Sequence, residues 1–255
     1  MTTAQDLTDL MLSMANEQQR QVLMRFFKTA PGEYSHRDQF IGLKVPQTRC
    51  IVKEAKLSVP LAEISTLLHS PWHEVRLCGL LLLVEEMKAA LPRPSHRDHA
   101  AMAQKRDELA HFYIRHAPCA NNWDLVDLSC GPILGEWLLH PDAHGKMPSR
   151  TILDYLAYST NLWEQRISIV STIRLIKAGE YADTLRIATQ LLSHRHDLIH
   201  KAVGWMLREV GKKDLEVLRD YLSQYASTMP RTTLRYAIER MSPAERKRWM
   251  TGSPV

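Results

Sequence analysis

Leu198-Ile199-His200-Lys201-Ala202-Val203-Gly204-Trp205 decides the fold, because the chain repeats its pattern. Trp163-Glu164-Gln165-Arg166-Ile167-Ser168-Ile169-Val170 carries it, and so does His73-Glu74-Val75-Arg76-Leu77-Cys78-Gly79-Leu80. Each has a basic residue, then a small residue two or three places on, inside an apolar helical stretch. Arg166 and Lys201 stand 35 residues apart, and Arg76 and Arg166 stand 90 apart. A helix pair recurring every ~35–47 residues marks an α-solenoid, in which each pair buries its face only against neighbours and leaves a long concave surface. The expected fold is therefore all-α, an α-solenoid of HEAT-like helix-pair repeats.

Outward from these segments the helical period continues. Leu7, Leu10, Met11 and Met14 recur at spacings of three and four, as do Val22, Leu23, Phe26 and Phe27. Pro46, Pro60 and Pro71 each stand where a helix can begin, since proline is tolerated in a first turn. Arg97 to His116 reads as a polar, partly exposed helix. Further helices are expected near 123–139, 149–158, 162–177, 181–192, 197–210, 214–225, 231–241 and 243–250. No sustained period-two alternation argues for strands. Two loops stand out, 30–45 and 140–148. No linker composition interrupts the chain, so a single domain over 1–255 is expected.

Composition narrows the class. Ten glycines in 255 residues, 45% apolar and 24% charged residues suit a globular helical protein and exclude collagen-like, disordered and disulfide-stapled classes. The longest apolar run, Leu77 to Val84, ends at Glu85 and is far short of the roughly 20 residues a membrane span needs. The first residues show no basic stretch followed by an apolar one, so no secretory signal is expected. Cys50, Cys78, Cys119 and Cys130 are scattered singly, as reduced thiols of a cytoplasmic protein would be.

The charge is uneven. Residues 201–255 hold 11 basic and 6 acidic side chains, whereas residues 1–200 hold 22 of each, so the last segment supplies the whole net charge of +5. A basic segment on a neutral body points to a polyanionic partner; a solvated basic tail is the plainer alternative.

The most unusual local segment is Asn121-Asn122-Trp123-Asp124-Leu125-Val126-Asp127. Trp123 and Asp127 are one helical turn apart and share a face. Asp124 suits a first turn, where a carboxylate meets unpaired N–H groups. An indole face and a carboxylate both attract positive charge, so this corner can bind a cation; equally, Trp123 can be core and Asp127 a solvated acid. His194, His196 and His200 lack a further ligand in a zinc-type spacing, so no metal is expected. No phosphate-binding glycine loop and no GxSxG elbow occurs.

Together, Trp123-Asp-x-x-Asp127, Trp163-x-x-Arg166 and Lys201-Ala-x-Gly-Trp205-x-Leu-Arg208-Glu209 resemble the signature of the AlkD-type DNA alkylation repair glycosylases. Gly42-Leu-Lys-Val-Pro46-x-x-Arg49 and Met229-Pro-Arg-x-x-Leu-Arg-Tyr-Ala237 extend the resemblance, in order, over roughly residues 20–240. Two positions depart from it: some members have tryptophan where Asn122 stands, and some have tyrosine where Phe26 stands.

The resemblance implies a HEAT-like stack whose basic concave face holds duplex DNA. It implies hydrolysis of the N-glycosidic bond of cationic alkylpurines such as 3-methyladenine and 7-methylguanine, without extrusion of the base into a tight pocket. By matching position, Trp123 and Trp205 would line the lesion cleft, Asp127 would be the catalytic carboxylate and Arg166 would hold the DNA backbone. No metal or organic cofactor is implied, and a monomer acting at the nucleoid in the cytoplasm fits a scanning role. Candidate phosphate contacts lie at helix ends: Lys44, Arg49, Arg208, Lys212, Lys213, Arg231 and Arg235. A non-catalytic HEAT-like DNA-binding or scaffold protein is the competing expectation.

Overall fold

A computed structural model describes residues 2–252. Among them the regular structure is helical, with one isolated bridge, Gln39 to Trp72, outside the helices. The chain forms two compact units, one of Met1–Ile133 with Asp142–His144, the other of Leu134–Pro141 with Gly145–Val255.

The first unit holds α1 (Ala4–Ser13), α2 (Glu17–Phe26), α3 (Val45–Ala55), α4 (Leu61–Leu68), α5 (His73–Ala90), α6 (His99–Arg115) and α7 (Trp123–Cys130). Its centre is α5, which packs against α1, α3, α4, α6 and α7. The run from Leu77 to Val84 that is too short to span a membrane is buried on every side here, which is why α5 carries so little polar surface. Among the described residues no helix is long and apolar enough to cross a membrane.

The second unit holds α8 (Thr151–Ala157), α9 (Leu162–Ser171), α10 (Ile173–Lys177), α11 (Ala182–Gln190), α12 (Asp197–Lys213), α13 (Leu215–Tyr225), α14 (Arg231–Ala237) and α15 (Pro243–Thr251). Helices α9, α12 and α14 pack side by side in a row, and α8, α11 and α13 each pack on a member of it. Within this unit the arrangement is the solenoid-like one that the repeat predicts.

The repeated pattern has a packing cause. At Gly204 an added Cβ would stand 2.5 Å from Thr233 O and 2.5 Å from Tyr236 Cβ, so α12 and α14 touch backbone to backbone there. Gly79 faces the side chains of Leu67 and Leu68 of α4, 3.1 Å from where its Cβ would stand, and the hydroxyl of Ser168 donates to Leu153 O of α8 at 2.7 Å. The preceding arginine ties α5 and α9 to a neighbouring segment, whereas the lysine pairs within its own helix α12. Arg76 donates to Ser70 O at 2.8 Å and Arg166 to Leu198 O at 2.6 Å, while Lys201 pairs with Asp197 at 2.7 Å.

Two expected helices are subdivided. The 162–177 helix breaks at Thr172, where Ser171 and Thr172 hydroxyls donate back to Ile167 O and Ile169 O at 2.6 and 2.7 Å and compete with the backbone ladder. The 123–139 helix passes into a π-helical turn over Gly131–Gly135, where Pro132 has no N–H to give to the preceding turn.

Candidate functional site

Helix α7 begins at Asn122, a fully buried residue. Its Oδ1 accepts from Trp123 N at 2.8 Å, and its Nδ2 donates to the buried Ser35 Oγ at 2.6 Å. Asn122 therefore caps the helix and ties it to the loop between α2 and α3. From this start Trp123 and Asp127 share one face of α7. Both are partly exposed, and both line a cleft of about 450 Å³ in the first unit.

Aromatic rings form much of that cleft. Phe26 meets Trp123 edge-on at 5.8 Å, and Phe27 meets it at 5.3 Å. Phe27 stacks on Phe40 at 5.2 Å. Phe26 is 60% exposed, so the position that departs from the tyrosine pattern puts an apolar ring at the mouth. Lys44 is exposed on the same wall.

The loop carrying Phe40 and Leu43 is fixed by one buried acid. Glu74, 2% exposed, accepts from Ile41 N, Gly42 N and Leu43 N at 2.9, 2.8 and 3.1 Å. Three successive N–H groups converge on one carboxylate because Gly42 takes φ +97°, and a Cβ there would overlap Asn16 O.

Behind the rings lies a buried ion network. His73 Nε2 lies 2.9 Å from Asp124 Oδ2, and His73 Nδ1 lies 2.9 Å from Asp38 Oδ2. Arg76 pairs with the other oxygen of Asp38. Each ring nitrogen faces a carboxylate oxygen, so both nitrogens donate and the imidazole is a cation. Burial pulls its pKa down, but Asp124 and then Asp38 outweigh burial and raise it to about 9. Burial likewise raises Asp38, yet the His73 hydrogen bond and the Arg76 charge hold it below the ordinary carboxylate value. Phe40 stacks on the His73 ring at 4.5 Å and Phe27 approaches it at 4.9 Å, faces that favour a cation.

Asp124 stands in the first turn of α7, as the sequence reading has it, but its carboxylate meets a side chain and not the free N–H groups of that turn. Its ring partner is the side chain of His73, and Asn122 does the capping expected of an acid at that end. The His73 ring is held by Asp124 and Asp38 and lies against Phe40 and Phe27, while the Trp123 ring meets Phe26 and Phe27. Asp38, His73, Glu74, Phe27 and Phe40 were not legible as site residues. The available signal was a His-Glu pair opening an otherwise apolar helix.

In the second unit, Trp205 is partly exposed on α12, which argues against simple core packing. Trp163 is 7% exposed and belongs to the core. Arg166 is 5% exposed and donates to Leu198 O, bracing α9 against the start of α12. Of the basic candidates, Arg208 pairs with Glu239, and the exposed Lys212 pairs with Glu209 at 2.7 Å along its own helix. Lys213, Arg231 and Arg235 in this unit are exposed, as are Lys44 and Arg49 in the first. His194 bonds Gln165 Oε1 at 2.9 Å, His196 accepts from Leu198 N at 3.2 Å and His200 bonds His194 O.

Residues 7–241 match the sequence profile of a family described as DNA alkylation repair enzyme. The chain belongs to that family. The DNA alkylation repair family gives this protein its role, that of an enzyme in the repair of alkylated DNA, with DNA as its partner. Among solved structures, a predicted DNA alkylation repair enzyme from Enterococcus faecalis is similar, with a TM-score of 0.64 and 15% sequence identity. The match covers 90% of this chain and 97% of that one, and at such low identity it shows a shared fold. No curated protein matches in sequence.

Proposed function

We propose that the protein is a monofunctional DNA glycosylase that removes cationic alkylated purines, 3-methyladenine and 7-methylguanine, from duplex DNA as the first step of base excision repair. The observation that carries this reading is the pairing of Trp123 with Asp127 on the wall of one cleft, both partly exposed.

The chemistry asks for little more. A purine alkylated at N3 or N7 already bears positive charge, so it leaves as a neutral base when the bond to C1′ breaks and needs no general acid. The sugar takes up the positive charge as an oxocarbenium-like species. A carboxylate beside it stabilises that charge and orients water, whose oxygen bonds to C1′ as a proton is released. Asp127 takes this role. Trp123, on the same face of α7 as Asp127, offers its indole to the sugar and the cationic base, and the partly exposed Trp205 offers an indole face to DNA. Arg166 reaches the DNA backbone on exchanging Leu198 O for phosphate, and the exposed Lys44, Arg49, Lys213, Arg231 and Arg235 neutralise phosphates; such contacts position the duplex without reading sequence. Arg208 and Lys212 join them on exchanging acidic partners for phosphate. No metal or organic cofactor takes part, and a monomer in the cytoplasm, at the nucleoid while acting, serves this role.

The alternative is a non-catalytic HEAT-like DNA-binding scaffold. The burial of Arg166 against Leu198 O favours it, because a bracing arginine needs no substrate.

The test is to incubate the protein with alkylated duplex DNA and identify the bases released. Asp127→Asn should lower release by at least about 100-fold, the scale of losing one preorganised electrostatic group, with duplex binding retained. Release at the parental rate by that variant, or no release by the parent, overturns the proposal.

A further inference from the structure

The proposed chemistry uses Asp127 and Trp123 but leaves the buried cation behind them without a role. His73 is 2% exposed and lies on α5, the central helix of the first unit. From α7 it is faced by Asp124, and from the loop between α2 and α3 by Asp38. Arg76, one turn along α5, reaches the far oxygen of Asp38. Glu74 is turned to the backbone N–H groups of Ile41, Gly42 and Leu43. The network therefore alternates Arg76, Asp38, His73 and Asp124, two cations and two anions, and ends at the first turn of α7.

Buried ion pairs often contribute less than apolar packing of the same volume, whereas removing one partner is strongly destabilising. Asp124 makes the dependence sharp. It is 7% exposed, and its Oδ1 is shielded from solvent and has no hydrogen-bond partner among the described residues. The carboxylate that anchors the start of α7 thus relies on His73 for its balancing charge. Asp124 is flanked by Trp123 and stands one turn before Leu128, so the side chains next to it in the helix are the ones that line the cleft.

We propose that His73 is the positioning residue of this site: its imidazolium holds Asp124, and through Asp124 it sets where Trp123 and Asp127 stand on the cleft wall. The inference rests on the glycosylase reading for its kinetic consequence, but not for its structural one. His73 also lines the cleft at its base, 2% exposed, and in this role it acts through Asp124 and transfers no proton. Loss of its proton removes the cation between two carboxylates, and α7 shifts relative to the rings of Phe27 and Phe40.

Three measurements on the full chain test it. The first needs only the parent protein: ring nitrogen resonances of His73 at about pH 7 should show both nitrogens protonated, because the imidazole pKa lies near 9. A neutral ring there overturns the proposal whatever the activity proves to be. The second is single-turnover release of 7-methylguanine by His73→Gln. The maximal rate should fall by about 10- to 100-fold, the scale of a small misplacement of reacting groups. Affinity for DNA should change by less than about twofold, because no phosphate contact is touched. Equal rates in variant and parent overturn it.

The third is the pH profile. The parent rate should decline as pH rises through about 9, and the decline should vanish in His73→Gln; a decline that persists overturns the proposal. Should His73→Gln fail to fold, His73→Gln with Asp124→Asn removes both charges and restores stability. That double variant should still show the lowered rate and no alkaline decline. If the parent releases no base, the glycosylase reading falls, and the ring resonances still decide the state of His73.

Discussion

Glu74→Gln is the substitution whose consequence follows most directly from the geometry. Glu74 Oε1 accepts from Gly42 N at 2.8 Å and Leu43 N at 3.1 Å, and Oε2 accepts from Ile41 N at 2.9 Å. A glutamine of the same shape keeps its oxygen for two of these. Its NH2 then faces Ile41 N–H, donor against donor. One charge-assisted bond is lost outright, worth about 1.5–3 kcal/mol, and the remaining two fall to neutral strength. The net cost is about 3 kcal/mol after partial relaxation. For a chain of this size that lowers the melting midpoint by about 6–12 °C. Gly42 cannot relieve the strain by turning away, because its φ of +97° is what aligns the three N–H groups. Thermal unfolding followed by circular dichroism measures the midpoint, and amide hydrogen exchange at 41–43 reads the site itself. A midpoint within about 2 °C of the parent, with exchange at those amides unchanged, refutes the reasoning, since the N–H groups would then have another acceptor.

Two further predictions rest on equally local geometry. Gly204→Ala places a methyl 2.5 Å from Thr233 O and Tyr236 Cβ, so α12 and α14 must separate; a loss of about 1–3 kcal/mol is expected in a urea titration, and an unchanged midpoint would show that the close approach is dispensable. The His73 network should make stability depend on pH at both ends. The imidazole pKa rises from 6.5 to about 9 on folding, so its contribution is complete below 6.5 and is lost as pH climbs through about 9. Asp38 is lowered from 3.8, so its contribution is complete above 3.8 and is lost on acidification. Full bracing therefore spans 3.8 to 6.5. Between pH 6.5 and pH 9 the urea midpoint should fall by the equivalent of about 3 kcal/mol at most, counted once for the shared ion pair. His73→Gln should abolish that decline.

The repeat at Arg76, Arg166 and Lys201 was legible because helical periodicity and a recurring small residue are local properties of the chain. The structure supplies their cause: Gly79, Ser168 and Gly204 admit a neighbouring helix, and the two arginines hold a carbonyl of the adjoining segment. Trp123 and Asp127 were legible as a pair for the same reason, since a spacing of four puts two side chains on one face whatever lies opposite. Asn122, which interrupts the expected pair of tryptophans, is explained by its two hydrogen bonds to Trp123 N and Ser35 Oγ.

By itself, then, the sequence determined the helical class, the positions of most helices, the family and the face of α7 that carries an acid and an indole. These depend on residues a few places apart, where chain geometry alone sets who meets whom. The partners of the buried charges belonged to the tertiary structure. Asp38, His73 and Asp124 are brought together from a loop and two helices, and Arg208 looks like any basic residue in sequence until Glu239 of a distant segment is placed beside it. A charge acquires its ionisation state and its use from what surrounds it at a few ångströms, and for a buried group those neighbours come from distant parts of the chain.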